Sequence, residues 1–294
     1  MSTAVARRIL ADCVAGNAHP ALALVRLLDE LGGYEPAAAL IASHAPPGAP
    51  ATAELERLLS ENREVCERIV WMLRNHPAPA PFSGSVEEEI ASVRRFFDQA
   101  VKADEVASVA AYSLGSPELL AECTREIADL FELWSLLGPY RVALEIGCGI
   151  GRMQEALAPH LAEVYGLDVS PGMVAAARRR CAGLDNVHIS EGSGRDLAGF
   201  PSGKFDLVFA VDSFPYIHQG GPELVEGYFS EVARVLQPGG DFAFLNFSYR
   251  GDVNEDRDEV EELAEDWGFC VEVDGVHPFR VWDGTVYLLR RLGR

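Results

Sequence analysis

V-A-L-E-I-G-C-G-I-G-R-M, Val142 to Met153, is the stretch that decides the fold. An apolar run of strand composition over 142–146 stops at glycines 147, 149 and 151, and a helical pattern follows over 153–161. Strand, tight turn and helix start therefore succeed one another. Glycine has no Cβ and tolerates left-handed dihedrals, so such a turn brings backbone N–H groups close to a ligand beside a helix N-terminus. A nucleotide-like ligand is expected there.

Downstream of this stretch, strand and helix patterns alternate. Strands are predicted over 164–169, 187–189, 205–211 and 241–247, with helices over 171–181 and 223–236. F-D-L-V-F-A-V, 205–211, is nearly continuous in apolar character, which marks a strand buried on both faces. A helix over 255–267 then precedes two strands, 270–273 and 285–289, with no helix between them. The pattern predicts an α/β domain over 139–294. Its sheet is mostly parallel with helices on both faces, and an antiparallel pair closes it.

Upstream, residues 4–76 carry apolar residues at spacings of three and four, such as Ala21, Leu24, Val25 and Leu28, and show no strand pattern. G-G-Y-E-P-A-A-A-L, 32–40, looks faintly like part of a tetratricopeptide hairpin, but such arrays need at least about three repeats to bury a core. Residues 1–76 are therefore read as a non-repeat helical accessory region. P-A-P-A-P within 77–82 predicts a stiff linker, because closely spaced prolines cannot continue a helix. Residues 83–138 read as a helical extension. Ser83 or Ser85 caps a first helix that carries Glu87, Glu88 and Glu89 at its positive end and Ile90, Val93, Phe96 and Phe97 along one stripe. A second helix, 118–137, leads into the central strand.

Composition narrows the function. A formal charge of −20 over 294 residues opposes general affinity for nucleic acid or anionic membrane, which needs clustered Lys and Arg. The six cysteines are scattered with no C-x-x-C pair, so neither a metal site nor a disulfide framework is signalled. The N-terminal segment lacks a signal-peptide core, and no run of about eighteen apolar residues occurs. A cytoplasmic protein is expected, with no bound metal, no nucleic-acid partner and no membrane association.

The surroundings of the glycine turn choose between cofactors. A dinucleotide fingerprint would need glycine at 152, where the chain has Arg152, and the spacing fits E-x-G-x-G-x-G better. Glu145 stands at the carboxyl end of the first strand. Asp168 ends the next strand about twenty residues after the turn, where a carboxylate can accept both hydroxyl protons of a ribose.

With L-E-I-G-C-G-I-G, G-L-D-V-S-P-G-M, E-G-S-G-R-D-L, F-D-L-V-F-A-V-D and V-L-Q-P-G-G in this order, 140–294 resembles a class I S-adenosylmethionine-dependent methyltransferase. The resemblance implies a Rossmann-like sheet of seven strands, the last antiparallel, and S-adenosyl-L-methionine as cofactor. It implies that Gly147, Cys148, Gly149 and Gly151 face the methionine and ribose portions, with Glu145 near the methionine end. Asp168 then holds the ribose, Val169 and Met173 flank the adenine, and Val211 completes the cofactor set. Where the family often has an acid for the adenine amine this chain has Ser193, whose hydroxyl can accept that bond, with the Gly194 amide serving a ring nitrogen.

Methyl transfer is an in-line displacement, so a protein chiefly aligns the acceptor and removes its proton. The loops after Val211 and Phe247, at the carboxyl ends of their strands, are expected to hold the acceptor. His218 is the candidate base, its ordinary pKa being near neutrality, and Tyr216 is a candidate orienting group. Phe214, Tyr249 and Arg250 are candidate acceptor contacts, and Tyr112 is a candidate aromatic supplied by the helical extension. The expected function is methyl transfer to an oxygen or nitrogen of a small-molecule metabolite. The alternatives are a protein methyltransferase that recruits its target through the helical region and a non-catalytic cofactor-binding scaffold. A homodimer, or a protein contact through the helical region, is compatible with this reading.

Overall fold

The computed structural model describes residues 3–75 and 84–293, so the linker predicted at 77–82 and the Ser83 cap lie outside the described residues. Two compact units are present, and neither is continuous in sequence. The first comprises 3–75, Gln99–Cys123 and Phe279–Asp283, and the second 84–98, Thr124–Pro278 and 284–293.

The first unit contains α1 (Thr3–Val14), α2 (Pro20–Leu31), α3 (Tyr34–His44), α4 (Pro50–Glu61) and α5 (Arg63–Asn75). The His19 ring accepts the Ala21 amide, and Pro20 occupies the first turn of α2, where its missing N–H costs nothing. Ala21, Leu24, Leu27 and Leu28 of α2 are fully buried, because this helix packs against the other four. Tyr112, in a single 3₁₀ turn (Ala111–Ser113), stacks on Trp282 at 5.8 Å within this unit.

α6 (Val86–Ala103) and α7 (Pro117–Leu133) contribute residues to both units. α6 starts with a reciprocal cap: Ser85 Oγ accepts the Glu88 amide and Glu88 Oε2 accepts the Ser85 amide. In the second unit follow β1 (Gly138–Ile146), α8 (Arg152–Leu157), β2 (Leu161–Asp168), α9 (Pro171–Arg180), β3 (Val187–Glu191) and β4 (Phe205–Val211). The chain closes with α10 (Phe214–Gln219), α11 (Pro222–Val235), β5 (Leu236–Leu245), α12 (Val253–Trp267), β6 (Phe269–Val276) and β7 (Val286–Arg291).

The seven strands form one sheet in the order β3-β2-β1-β4-β5-β7-β6. The first five pair in parallel, while β7 runs antiparallel to both β5 and β6, as the missing helix between the last two strands predicted. The order reverses between β1 and β4. In an open sheet the crevice beyond the strand ends at such a reversal is where ligands bind. The core beneath it is aromatic: Phe214, Phe229, Phe242, Phe244 and Phe247 are fully buried and meet ring against ring at 4.9–6.2 Å.

Residues 212–219 were expected as a loop and instead form the short helix α10. Pro215 in its first turn is pre-set for helical dihedrals, and Phe214 is pulled into the core.

Gly151 holds φ +78, and a Cβ there would lie 3.0 Å from both Cα and Cβ of Ala177 on α9. Neither neighbour can yield, since one is backbone. Gly151→Ala should therefore lower the urea midpoint by the equivalent of about 1–3 kcal/mol. Gly227→Ala, in α11 with nothing near its Cβ, should raise it by about 0.5–1 kcal/mol.

Candidate functional site

The glycine turn leaves β1 at Ile146, and its amides are already committed. Those of Gly147 and Cys148 both donate to the Leu167 carbonyl at 2.8 Å, that of Gly149 to Asp168 Oδ2 at 2.8 Å, and that of Gly151 to the Cys148 carbonyl at 2.9 Å. The expectation that these N–H groups point at a ligand is corrected for these four. Three hold the turn against β2 and the fourth closes the turn on itself, so they are not offered to a phosphate. Gly147, at φ +74, is required by its neighbour, because a Cβ there would fall 2.3 Å from the Ser213 Cβ. Ser213 in turn donates to the Ile146 carbonyl, tying the ends of β1 and β4 together. The Cys148 side chain points at Gly166 of β2, is buried, and its thiol is pushed up by burial.

Asp168 ends β2 with 8% of its surface exposed. Its second carboxylate oxygen, Oδ1, accepts the Ser170 amide at 2.9 Å, so each oxygen holds one turn. Burial pushes the carboxyl up to about 6, against the pull of the Ser170 and Gly149 amides. Glu145, 2% exposed, takes a 2.6 Å hydrogen bond from Gln154 Nε2. Burial pushes it up to about 8, although Gln154 and the Arg152 guanidinium both favour its anion. Arg152, the residue in place of a fingerprint glycine, is buried and donates to Thr124 Oγ1 at 3.2 Å.

α6 lies along the carboxyl ends of β2 and β3. Asp98 Oδ1 accepts the Ser170 hydroxyl at 2.6 Å and the Gly172 amide at 2.9 Å, while Ser170 Oγ caps α9 through the Met173 amide. A Cβ on Gly194, at φ +77, would meet Ile90 at 2.8 Å and Val169 at 2.9 Å, so these apolar side chains converge there. Met173 is buried. Ser193 is exposed, and its hydroxyl accepts the Arg195 and Asp196 amides and reaches Asp196 Oδ1, so it is engaged in its own turn.

At the ends of β4 and β5 stand Asp212 and Asn246, both non-glycine residues with left-handed backbone, φ 59 and 65. Asp212 Oδ1 accepts from Asn246 Nδ2 at 2.9 Å and from the Tyr249 hydroxyl at 2.8 Å. Burial, and next the Asp212 charge, push the phenols of Tyr216 and Tyr249 well up, so both remain protonated donors. His218 Nε2 lies 3.4 Å from Glu259 Oε2, and its ring meets Phe247 edge to face at 5.1 Å. Glu259 ends below its ordinary value despite burial, because His218 and Arg250 hydrogen-bond to it. Arg250 is held by Asp256 at 2.6 Å and by Glu259 at 2.7 Å.

One expected acceptor contact sits elsewhere. Phe214 is fully buried in the aromatic core and offers no surface to a ligand. Tyr112 belongs to the first unit, buried and stacked on Trp282. Asp98, Ile90, Asp212 and Asn246 were missed. Asp212 directly follows the F-D-L-V-F-A-V strand and was legible there, whereas nothing local distinguishes Asp98 on its helix.

Residues 144–244 match the family model described as "Methyltransferase domain". With the sheet order and this turn, the match decides the family. Residues 144–244 form a methyltransferase domain of the class I S-adenosylmethionine-dependent kind. A demethylmenaquinone methyltransferase of Tropheryma whipplei (strain Twist) is 33% identical over 106 residues, 36% of this chain and 41% of that protein. A trans-aconitate 2-methyltransferase of Methylobacterium nodulans is 36% identical over 122 residues, 40% of this chain and 43% of that protein. The chain thus spans less than half the length of these relatives. Among solved structures, the cyclase SpnF superposes with a TM-score of 0.53 over 72% of this chain and 98% of that one, at 18% identity, a likeness of fold.

The methyltransferase unit fits S-adenosylmethionine in the chemistry of its donors and acceptors. A rigid carboxylate stands at the end of β2, apolar side chains converge on Gly194, and the four turn amides named above are spent, as suits a ligand without phosphate. Among the described residues no cluster of His, Cys, Asp or Glu can hold a metal ion, and no helix is long and apolar enough to cross a membrane.

The raised carboxyls give a stability signature. A group whose folded pKa exceeds its unfolded value binds more protons when folded, so stability is greatest at low pH and falls as pH rises to the folded pKa. For Asp168 the fall runs from about 4 to 6, and for Glu145 from about 4.5 to 8. Thermal melts of the ligand-free protein should therefore lose stability from pH 5 to 8, on the order of a few kcal/mol at most. Glu145→Gln should flatten the part between pH 6 and 8.

Proposed function

We propose that the protein transfers a methyl group from S-adenosylmethionine to an oxygen or nitrogen of a small molecule. The observation that carries this reading is the Asp168 carboxylate, held by the Gly149 and Ser170 amides beside a turn in which the Gly147, Cys148, Gly149 and Gly151 amides are used up. A carboxylate so fixed accepts two vicinal hydroxyls, which favours an adenosine ligand over a free phosphate. The small-molecule part of the reading is supported by the relatives, whose names specify demethylmenaquinone and trans-aconitate as what they methylate.

S-adenosylmethionine, when bound, supplies an electrophilic methyl group on a sulfonium. The protein's share is positioning and proton removal. Asp168 accepts the ribose hydroxyls, and Ile90 and Val169 give the adenine an apolar surface. Glu145 and Gln154 lie at the methionine end, Ser193 and Gly194 at the adenine edge, and Val211 ends the strand beneath. His218, oriented by Glu259 through Nε2, keeps Nδ1 to take the acceptor's proton. Tyr216 and Tyr249 orient the acceptor with their rings, the Tyr249 hydroxyl being given to Asp212, while Arg250 acts through Glu259 rather than on the acceptor. α6 shields the transfer from water through Asp98 and Ile90.

Calorimetric titration with S-adenosylmethionine tests the donor assignment. Affinity should rise as pH passes upward through about 6, since only the ionised Asp168 accepts both hydroxyls. Asp168→Ala should weaken binding by about 10- to 100-fold. A protein that binds NAD and not S-adenosylmethionine would sink the proposal.

A further inference from the structure

α6 sets the half-buried Asp98 against the turn after β2, where Asp98 Oδ1 accepts the Ser170 hydroxyl at 2.6 Å and the Gly172 amide at 2.9 Å. The same Ser170 gives its amide to Asp168 Oδ1 at 2.9 Å and caps α9 through the Met173 amide. Asp98 thus reaches Asp168 through a single residue. Other contacts dock this stretch of α6 on their own account. Val86 is buried in the core, Ile90 packs where Val169 and Gly194 meet, Arg94 pairs with Glu191 at 2.7 Å, and Glu87 pairs with Arg195 at 2.7 Å. The two bonds of Asp98 therefore serve the turn more than the helix.

Those bonds do not account for a charge at position 98. An asparagine would accept the same hydroxyl and amide through its side-chain oxygen. What a carboxylate adds is a like charge near Asp168. Burial is the main cause that raises Asp168, Asp98 raises it further, and the Ser170, Gly149 and Val169 amides act the other way. Glu145 of β1 and the Cys148 thiol of the turn also interact with Asp168. Burial raises both, Glu145 to about 8, so at neutral pH they are largely uncharged, and Arg152 of α8 acts on Glu145. Asp98 therefore supplies the like charge that Asp168 meets across Ser170.

On the donor assignment above, we propose that Asp98 is a positioning residue of the donor site: from α6 it fixes the Ser170 turn that aims Asp168, and its charge makes donor binding fall away in mild acid. Two ribose hydroxyls are held by the ionised carboxylate. Removing only the Asp98 charge lets Asp168 stay ionised to lower pH. Removing the whole side chain frees the Ser170 hydroxyl and the Gly172 amide, and the turn that aims Asp168 loosens.

The test is calorimetric titration of the full chain with S-adenosylhomocysteine at pH 7 and pH 5, on either side of the Asp168 value of about 6. Asp98→Ala should bind about tenfold or more weakly at pH 7, and Asp98→Asn, which keeps an acceptor in place, should recover most of that loss. The ratio of the Asp98→Asn affinity to that of the unaltered protein should rise by about twofold or more from pH 7 to pH 5, because the variant lacks the opposing charge. A residue that merely props the turn would leave that ratio constant. A constant or falling ratio, Asp98→Asn as weak as Asp98→Ala at pH 7, or Asp98→Ala as tight as the unaltered protein overturns the role given to Asp98 and leaves the donor assignment standing. Should Asp98→Ala not fold, the Asp98→Asn ratio decides. Failure of the unaltered protein to bind S-adenosylhomocysteine overturns the donor assignment, and the role of Asp98 with it.

Discussion

One carboxylate joins two turns. Asp168 accepts the Gly149 amide with one oxygen and the Ser170 amide with the other, so the turn after β1 and the turn after β2 are held as a single rigid edge. The arrangement is costly, since the group is almost wholly buried and its charge is disfavoured by desolvation. Fixed donors offset part of that penalty and leave the carboxylate pre-aligned. Asp98 extends the same edge to α6 by holding the Ser170 hydroxyl and the Gly172 amide. The shape of this edge thus follows from a short chain of charge-assisted hydrogen bonds.

The second constraint is steric. Gly147 must be glycine because Ser213 fills the place of its Cβ, and Gly151 because α9 does. Both contacts bring neighbouring elements against the turn, and neither depends on a ligand. Glycine here serves close packing of protein on protein, while the amides of Gly147, Cys148, Gly149 and Gly151 close onto β2 and the turn itself. This distinguishes the turn from a phosphate cradle, in which the same N–H groups would face outward.

The sheet is more legible in the chain than the site is. The alternation after Val142, and the lack of a helix between the last two strands, carried the parallel order and its antiparallel closure. These follow from local periodicity, which is written in each segment. Residues 212–219 misled, because a run rich in aromatics and polar groups around Pro215 reads as a loop until the core draws Phe214 inward. Asp98 was invisible for a different reason. Its partners, Ser170 and Gly172, lie more than seventy residues away, and no local pattern marks that pairing.

Periodicity, the E-x-G-x-G-x-G spacing and Asp168 were enough to specify an α/β domain that resembles a known family, because each depends on neighbours along the chain. Whether a side chain faces a ligand or the core depended on what folding brought across the sheet. Only the folded chain buried Phe214, engaged Arg250 with Asp256 and Glu259, and bent Ser193 into its own turn. It also joined Asp212 to Asn246 and Tyr249, and set the Tyr216 ring against those of Tyr249 and Phe97. Those contacts join distant segments through packing and directional hydrogen bonds, which no spacing along the sequence encodes.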